Sequence, residues 1–190
     1  MFILYALVVG LIVGVATGGR PANLAAIQFR WAPLIVLGFL AQVVLFSDVV
    51  AERVGDVGPV LYVGTTLMVG AAVLRNIRLP GMPLIILGAV SNLAAILANG
   101  GYMPATPEAM GALGRGAPTI YSNSALVPDP SLPWLIDRFA LPRWLPFTNV
   151  FSIGDVLLAV GVFVLVVSVM RRPADGQPAG TTPDREPTAA

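Results

Sequence analysis

The chain has 190 residues, of which 56% are hydrophobic and only 11% charged, with a mean hydropathy of +0.83; ordinary soluble domains carry roughly 25% charged residues. Its formal charge is +1 and it contains no His, Cys or Lys, so every positive charge is an arginine. These absences exclude a thiolate nucleophile, a disulfide, an imidazole base, a Schiff-base lysine and a zinc site of the usual ligand types, and eleven scattered arginines give nucleic acid no basic patch.

Five apolar runs follow one another along the chain: Phe2 to Thr17, Ala32 to Phe46, Val60 to Leu74, Met82 to Leu97 and Val150 to Met170. Each has the length of a helix, and none shows the polar outer face that a water-exposed helix requires. The first four hold about 15 or 16 residues, roughly 24 Å at 1.5 Å per residue, so flanking residues must extend them to cross a hydrocarbon core. The first run has no positive charge before it, which is not the pattern of a cleaved signal peptide.

Gly18-Gly19 is suited to end the first helix in a left-handed cap, with Arg20 near the last carbonyls and the headgroups. Gly10, Gly14 and Gly18 form two small-xxx-small steps, and Gly88, Ser91, Ala95 and Ala98 share one face of the fourth helix. Such faces serve packing within one chain or pairing with a second copy; packing within the chain is the expectation here. Pro80-Gly81 predicts a tight turn, with Pro83 in the first turn of the helix that follows, so the third and fourth helices form an antiparallel hairpin.

Arginine placement orients the bundle. Arg20 and Arg30 lie between the first two runs, Arg75 and Arg78 between the third and fourth, and Arg171 and Arg172 after the fifth; Arg53, Arg115, Arg138 and Arg143 fall on the other side. The expectation is a plasma-membrane protein with the N-terminus outside and the C-terminus in the cytoplasm.

Residues 99–149 hold eight prolines and cannot form one continuous helix. Within them, Ser131 to Phe139 is predicted as a short interfacial helix carrying Trp134, with Trp144 anchoring the return. Residues 171–190, rich in Pro, Gly, Thr and Asp, are expected to form a disordered cytoplasmic tail. The predicted fold is therefore all-α: an integral membrane bundle of about five transmembrane helices over residues 1–170, a proline-rich outer loop over 99–149, and that tail.

Function in such bundles concentrates where polar groups enter apolar helices. The candidates are Gln42, Asn92, the corner Asn99-Gly100-Gly101-Tyr102-Met103-Pro104, and Ser152 to Asp155 at the start of the fifth helix. Asp155 is the only acidic residue inside an apolar run, which suits a proton carrier, an ion ligand or a catalytic carboxylate. The S-x-x-D spacing of Ser152 and Asp155 equally suits a capping box at a helix N-terminus. The two roles are compatible.

Taken together, Gly18-Gly19-Arg20, Gln42, Arg75-Asn76-Ile77-Arg78-Leu79-Pro80-Gly81, Asn92, Asn99 to Pro104, and Phe151-Ser152-Ile153-Gly154-Asp155-Val156 resemble bacterial membrane proteins of domain-of-unknown-function family 5317. The resemblance implies a multi-pass bacterial membrane protein and supplies no reaction. The stretch from Phe147-Thr148-Asn149 to Asp155 is also similar to the last helix of signal peptidase II, a lipoprotein-processing aspartic protease. That chemistry needs two carboxylates, one holding the proton while the other activates water. Ala95, in Ser91-Asn92-Leu93-Ala94-Ala95, stands where the resemblance would require the second, so only Glu108 or Asp137 from the loop could supply it.

The resulting expectation is a non-enzymatic membrane module with no catalytic residue, cofactor or metal. Asn92, Asn99, Gly100, Gly101, Met103, Pro104, Ser152, Gly154 and Asp155 would form an outer-side polar cluster that binds a lipid, peptide or protein partner, a second copy included. The competing expectation is a membrane enzyme or transporter using Asp155 as a titrating carboxylate. Nucleic acid is not an expected partner.

Overall fold

The structure is a computed structural model that describes residues 2–114 and 124–172. The expected tail, apart from Arg171 and Arg172, lies outside the described residues, as does Arg115. Among the described residues eight helices form in chain order: α1 (Phe2–Ala16), α2 (Ala22–Ala25), α3 (Ala32–Leu45), α4 (Asp48–Val54), α5 (Val57–Leu74), α6 (Met82–Ala98), α7 (Pro107–Ala112) and α8 (Ile153–Met170). The same residues hold four two-residue strands: β1 (Met103–Pro104) pairs in parallel with β2 (Ser124–Ala125), and β3 (Phe139–Ala140) antiparallel with β4 (Val150–Phe151).

α8 is the central element, with α1 along one side and α6 along another; α5 packs on α6, and α3 packs on α5. Glycine makes the close approaches. A Cβ at Gly161 would lie 2.8 Å from the Gly81 carbonyl oxygen and 2.6 Å from an Ile85 methylene carbon, so the backbones of α6 and α8 meet where no side chain fits. Gly10 and Gly14 receive Val166 and Met170 in the same way, so α1 runs parallel to α8, and its small-residue face serves packing within the chain. Gly38 receives Val69 where α3 and α5 run antiparallel, and the Gln42 amide donates to Thr65 and Thr66 one turn further along.

Gly18 does not join that packing face. Its φ of +80° opens the turn that ends α1, where the Gly18 and Gly19 N–H groups bond the Val15 and Gly14 carbonyls. The next residues close the end of α8: the Arg20 N–H donates to the Met170 carbonyl at 2.8 Å, and the Asn23 amide donates to the Met170 and Arg172 carbonyls. The carbonyls that a helix C-terminus leaves unpaired are thus satisfied by the chain leaving α1.

The connection from α6 to α8 departs from the sequence expectation. No helix forms over Ser131–Phe139; Asp129 and Leu132 take left-handed backbone (φ +47° and +54°) on either side of Pro130, and Pro133 follows. Those positions break the i→i−4 ladder, and the chain proceeds as a turn, a bridge between Ala105 and Asp137, and β3. Trp134 and Trp144 are nonetheless exposed, at 70% and 81%.

Among the described residues, α5 and α8, each 18 residues, are long and apolar enough to cross a membrane; α3 and α4 add a third candidate only as a pair bent by 78°. α1 and α6 are apolar helices of 15 and 17 residues. Large apolar side chains on α3, among them Leu37, Phe39, Leu40 and Val43, face outward, which is costly in water and neutral in hydrocarbon.

Charge divides between the two ends. Arg20, Arg30, Arg75, Arg78, Arg171 and Arg172 lie where α1, α5 and α8 end and α3 and α6 begin, and no described carboxylate accompanies them. The seven described acidic residues, Asp48, Glu52, Asp56, Glu108, Asp129, Asp137 and Asp155, all belong to the opposite, loop-bearing half.

Candidate functional site

At the loop-bearing end, the start of α8 meets the middle of α6. Ser152 has extended backbone and begins the helix; its hydroxyl oxygen accepts the Asp155 N–H at 3.1 Å, and Asp155 Oδ2 accepts the Ser152 N–H at 2.9 Å. This is a complete capping box, each residue satisfying an orphan N–H of the other. The box is also bolted to α6. Asn92 Nδ2 donates to Asp155 Oδ1 at 3.0 Å, and the fully buried Ser152 hydroxyl, with a single proton, lies 2.8 Å from Asn92 Oδ1 and 3.0 Å from Asp155 Oδ2.

Gly154 makes this contact possible, because a Cβ there would fall on the Asn92 carboxamide oxygen and lie 3.0 Å from the Gly88 carbonyl.

Beside this network is a cavity of about 140 Å³. Its polar lining comes from Asn92, Asp155, Asp137 and Asn149, and its apolar lining from Phe2, Tyr62, Ile96, Met103 and Phe151. Phe2 stacks face to face on Phe151 with ring centroids 4.3 Å apart, and the Tyr5 hydroxyl donates to the Pro146 carbonyl, so the start of α1 walls one side.

The buried Asp137, which also lines the cavity, is held in place by its backbone. Its N–H donates to the Pro104 carbonyl and its carbonyl accepts the Thr106 N–H, both at 2.9 Å. Pro104 therefore serves the site by holding the strand-like path that carries Asp137.

Asn99, Gly100 and Gly101 of the same corner are not among the residues that line the cavity. Asn99 clamps Ser131 through both main-chain groups, accepting its N–H at 2.8 Å and donating to its carbonyl at 2.9 Å, and also bonds the Ala95 carbonyl. Gly100 is exposed with φ +72°, and Gly101 (φ +91°) is buried against Pro59 of α5. The structure thus brings Asn92, Met103, Ser152, Gly154 and Asp155 together, uses Asn99, Gly101 and Pro104 to fasten the loop, and leaves Gly100 at the surface as a turn.

Glu108 lines a separate, more open pocket with Trp134 and Arg138. Of the cavity lining, Asp137 and Asn149 enter the sequence reading only through the likeness to signal peptidase II, and Tyr62 is not singled out in it at all. Among the described residues, no cluster of three or more His, Cys, Asp or Glu side chains could hold a metal ion.

These features define a predominantly apolar helical protein, two or three of whose helices meet the requirements of a membrane span, with a polar cavity at its loop-bearing end. The chain matches the family described as Family of unknown function (DUF5317) over residues 26–167 and belongs to it. The match takes in Asn92, Asp137, Ser152 and Asp155 and leaves α1 outside. No curated protein and no solved structure matches the chain.

Proposed function

We propose that the chain is a five-span plasma-membrane protein of bacterial type, N-terminus outside and C-terminus in the cytoplasm, that acts as a non-enzymatic binding module through the cavity beside Asp155. α1 and α6 are individually short, but each lies alongside α8 for most of its length: Phe2 stacks on Phe151 while Gly14 meets Met170, and Asn92 meets Ser152 while Gly81 meets Gly161. Both helices therefore accompany α8 through much of any layer that it crosses, which supports counting them as spans. The six-arginine end suits the cytoplasmic face. A reporter fused after Arg172 should be active only in the cytoplasm, and activity only outside would reverse the orientation.

The observation that carries the binding reading is that Asp155 is already committed while it faces the cavity. Both its oxygens accept N–H groups, one closing the cap and one joining α6, so moving it would undo a helix start. A fixed carboxylate is a good ligand and a poor mobile acid. With Asp137, Asn92 and Asn149 also in its lining, the cavity offers acceptors to a positively charged group: the amine of a lipid headgroup, or a basic side chain or terminal amine of a peptide or protein partner. A volume of about 140 Å³ admits such a group or a few waters, not a whole substrate.

Ethylammonium chloride titrated into the detergent-solubilised protein should raise its melting temperature beyond the effect of sodium chloride, and Asp137→Asn should remove most of that rise. Equal responses to the two salts in the unsubstituted protein would refute cation binding.

A second reading, a membrane enzyme or transporter using Asp155 as a titrating carboxylate, is favoured by the cavity that Asp137 shares with Asp155, because chemistry of the aspartic-protease kind needs such a pair. It requires that neutralising either residue abolish function in the cell even where binding of the ammonium probe survives.

A further inference from the structure

The end of the molecule opposite the Asp155 cavity carries a second depression, of about 590 Å³, where the turn joining α5 to α6 meets the residues that lead into α3. Its lining includes three arginines, Arg30, Arg75 and Arg78, with Gln28 and Trp31, and no acidic residue. The volume lies in the usual range of small-ligand sites, about 300 to 1,000 Å³.

The depression is built on a rigid frame. Asn76, buried at the end of α5, accepts the Arg30 N–H at 2.9 Å and donates to the Arg30 carbonyl at 2.8 Å and to the Ala72 carbonyl at 2.7 Å. One side chain therefore welds the Arg30 segment to the helix carrying Arg75. Trp31, held in left-handed backbone (φ +60°, ψ +29°), places its ring 5.9 Å from the Arg75 guanidinium carbon. A non-glycine residue in that region costs about 1 kcal/mol or more, and its indole orients a guanidinium by cation–π attraction.

We propose that this depression binds the phosphate of an anionic phospholipid headgroup at the inner face of the membrane. Guanidinium forks match phosphate oxygens in geometry and charge, and basic pockets beside transmembrane helices on the cytoplasmic side hold anionic headgroups. The lipid, rather than a soluble phosphate, is chosen because Trp31, Leu74 and Ile77 at this site are about half exposed. They offer acyl chains an apolar surface continuous with α5. The proposal rests on the membrane reading above and is independent of the outer cavity.

The test uses the full chain in detergent micelles doped with equal amounts of phosphatidylglycerol and phosphatidylcholine, read by native mass spectrometry. A single phosphatidylglycerol adduct should predominate at least ten-fold over phosphatidylcholine. The double variant Arg75→Gln/Arg78→Gln, at exposed positions that leave folding intact, should lose that preference, while Arg53→Gln/Arg138→Gln, with the same change in charge at the other end, should keep it. No preference in the unsubstituted protein, or one that survives the first variant, overturns the proposal. Displacement of the adduct by millimolar inorganic phosphate would assign the site to a soluble anion and overturn the lipid assignment. A protein that stays monodisperse without detergent would refute the membrane reading itself, whereas one that needs detergent yet shows no selective adduct refutes this site alone.

Discussion

Gly154→Ala should unfold the protein at a temperature well below the parent, whereas Gly64→Ala should leave the melt unchanged or raise it slightly. The chemistry is identical, and only the surroundings differ. At Gly64 no atom lies within 4 Å of a new methyl group, and alanine is the better helix former by about 0.5–1 kcal/mol. At Gly154 the methyl would land on the Asn92 carboxamide, whose carbon would be 2.8 Å away, with the Gly88 carbonyl at 3.0 Å. The helices must separate or Asn92 must turn away. Separation forfeits packing along α6 and α8, at about 1–3 kcal/mol for overpacking. Turning away leaves the Ser152 hydroxyl and Asp155 short of a partner, at about 1–3 kcal/mol for each buried group. Against a typical total stability of about 5–15 kcal/mol, the sum is large. Thermal melts in one detergent, followed by light scattering, make the comparison. Matching melting temperatures for the two variants would mean that α6 and α8 do not cross at Gly154.

The apolar elements were readable from the sequence because hydropathy is a local property. The apolar stretches surface as α1, α3, α5, α6 and α8, with ends shifted by a few residues. Gly18-Gly19 and Ser152 with Asp155 were readable for the same reason: the Schellman turn and the capping box each close within six residues. The extension of Asp155's role from cap to bolt depends on Asn92, 63 positions away, and no spacing rule joins them. Asp137 is hidden more deeply. It stands among prolines in a stretch whose hydropathy suggests a helix, and two left-handed residues, Asp129 and Leu132, redirect the chain into the bridge that brings Asp137 to Pro104. Left-handed backbone at a leucine has no sequence signature.

Read from the sequence, the arginines give only a moderate bias between the ends, seven on the expected cytoplasmic side, counting Arg185, and four on the other. The placement of the acids sharpens it. All seven described carboxylates lie away from the six-arginine end, so the two ends differ in the sign of their charge as well as in arginine number. An acceptor-lined cavity at one end and a donor-lined depression at the other follow from that division. The same asymmetry underlies the proposed orientation and what each end is proposed to bind, cations at the loop-bearing end and anionic headgroups at the six-arginine end.

Substitution of Asp155 should separate shape from charge. Asp155→Asn can keep every hydrogen bond: its carboxamide oxygen accepts the Ser152 N–H and hydroxyl, its NH₂ donates to Asn92, and Asn92 turns over so that its own NH₂ meets the Ser152 oxygen. Only the attraction of a charge to the start of α8 is lost, about 0.3–1 kcal/mol, and the melting temperature should fall by a few degrees at most. Asp155→Leu strands the Ser152 N–H and the Asn92 NH₂ together, at about 1–3 kcal/mol each, and should cost at least twice as much. The ammonium response should shrink in the Asn variant despite its intact fold, because the acceptor that faced the cavity has become partly a donor. If Asp155→Asn melts as low as Asp155→Leu, the negative charge itself holds α6 to α8, and the hydrogen-bond account of this junction is wrong. If Asp155→Asn folds normally, keeps the ammonium response and yet fails to complement a deletion strain, then neither capping nor cation binding is what the cell requires of Asp155. A carboxyl group that gains and loses a proton would then be the better description of the site.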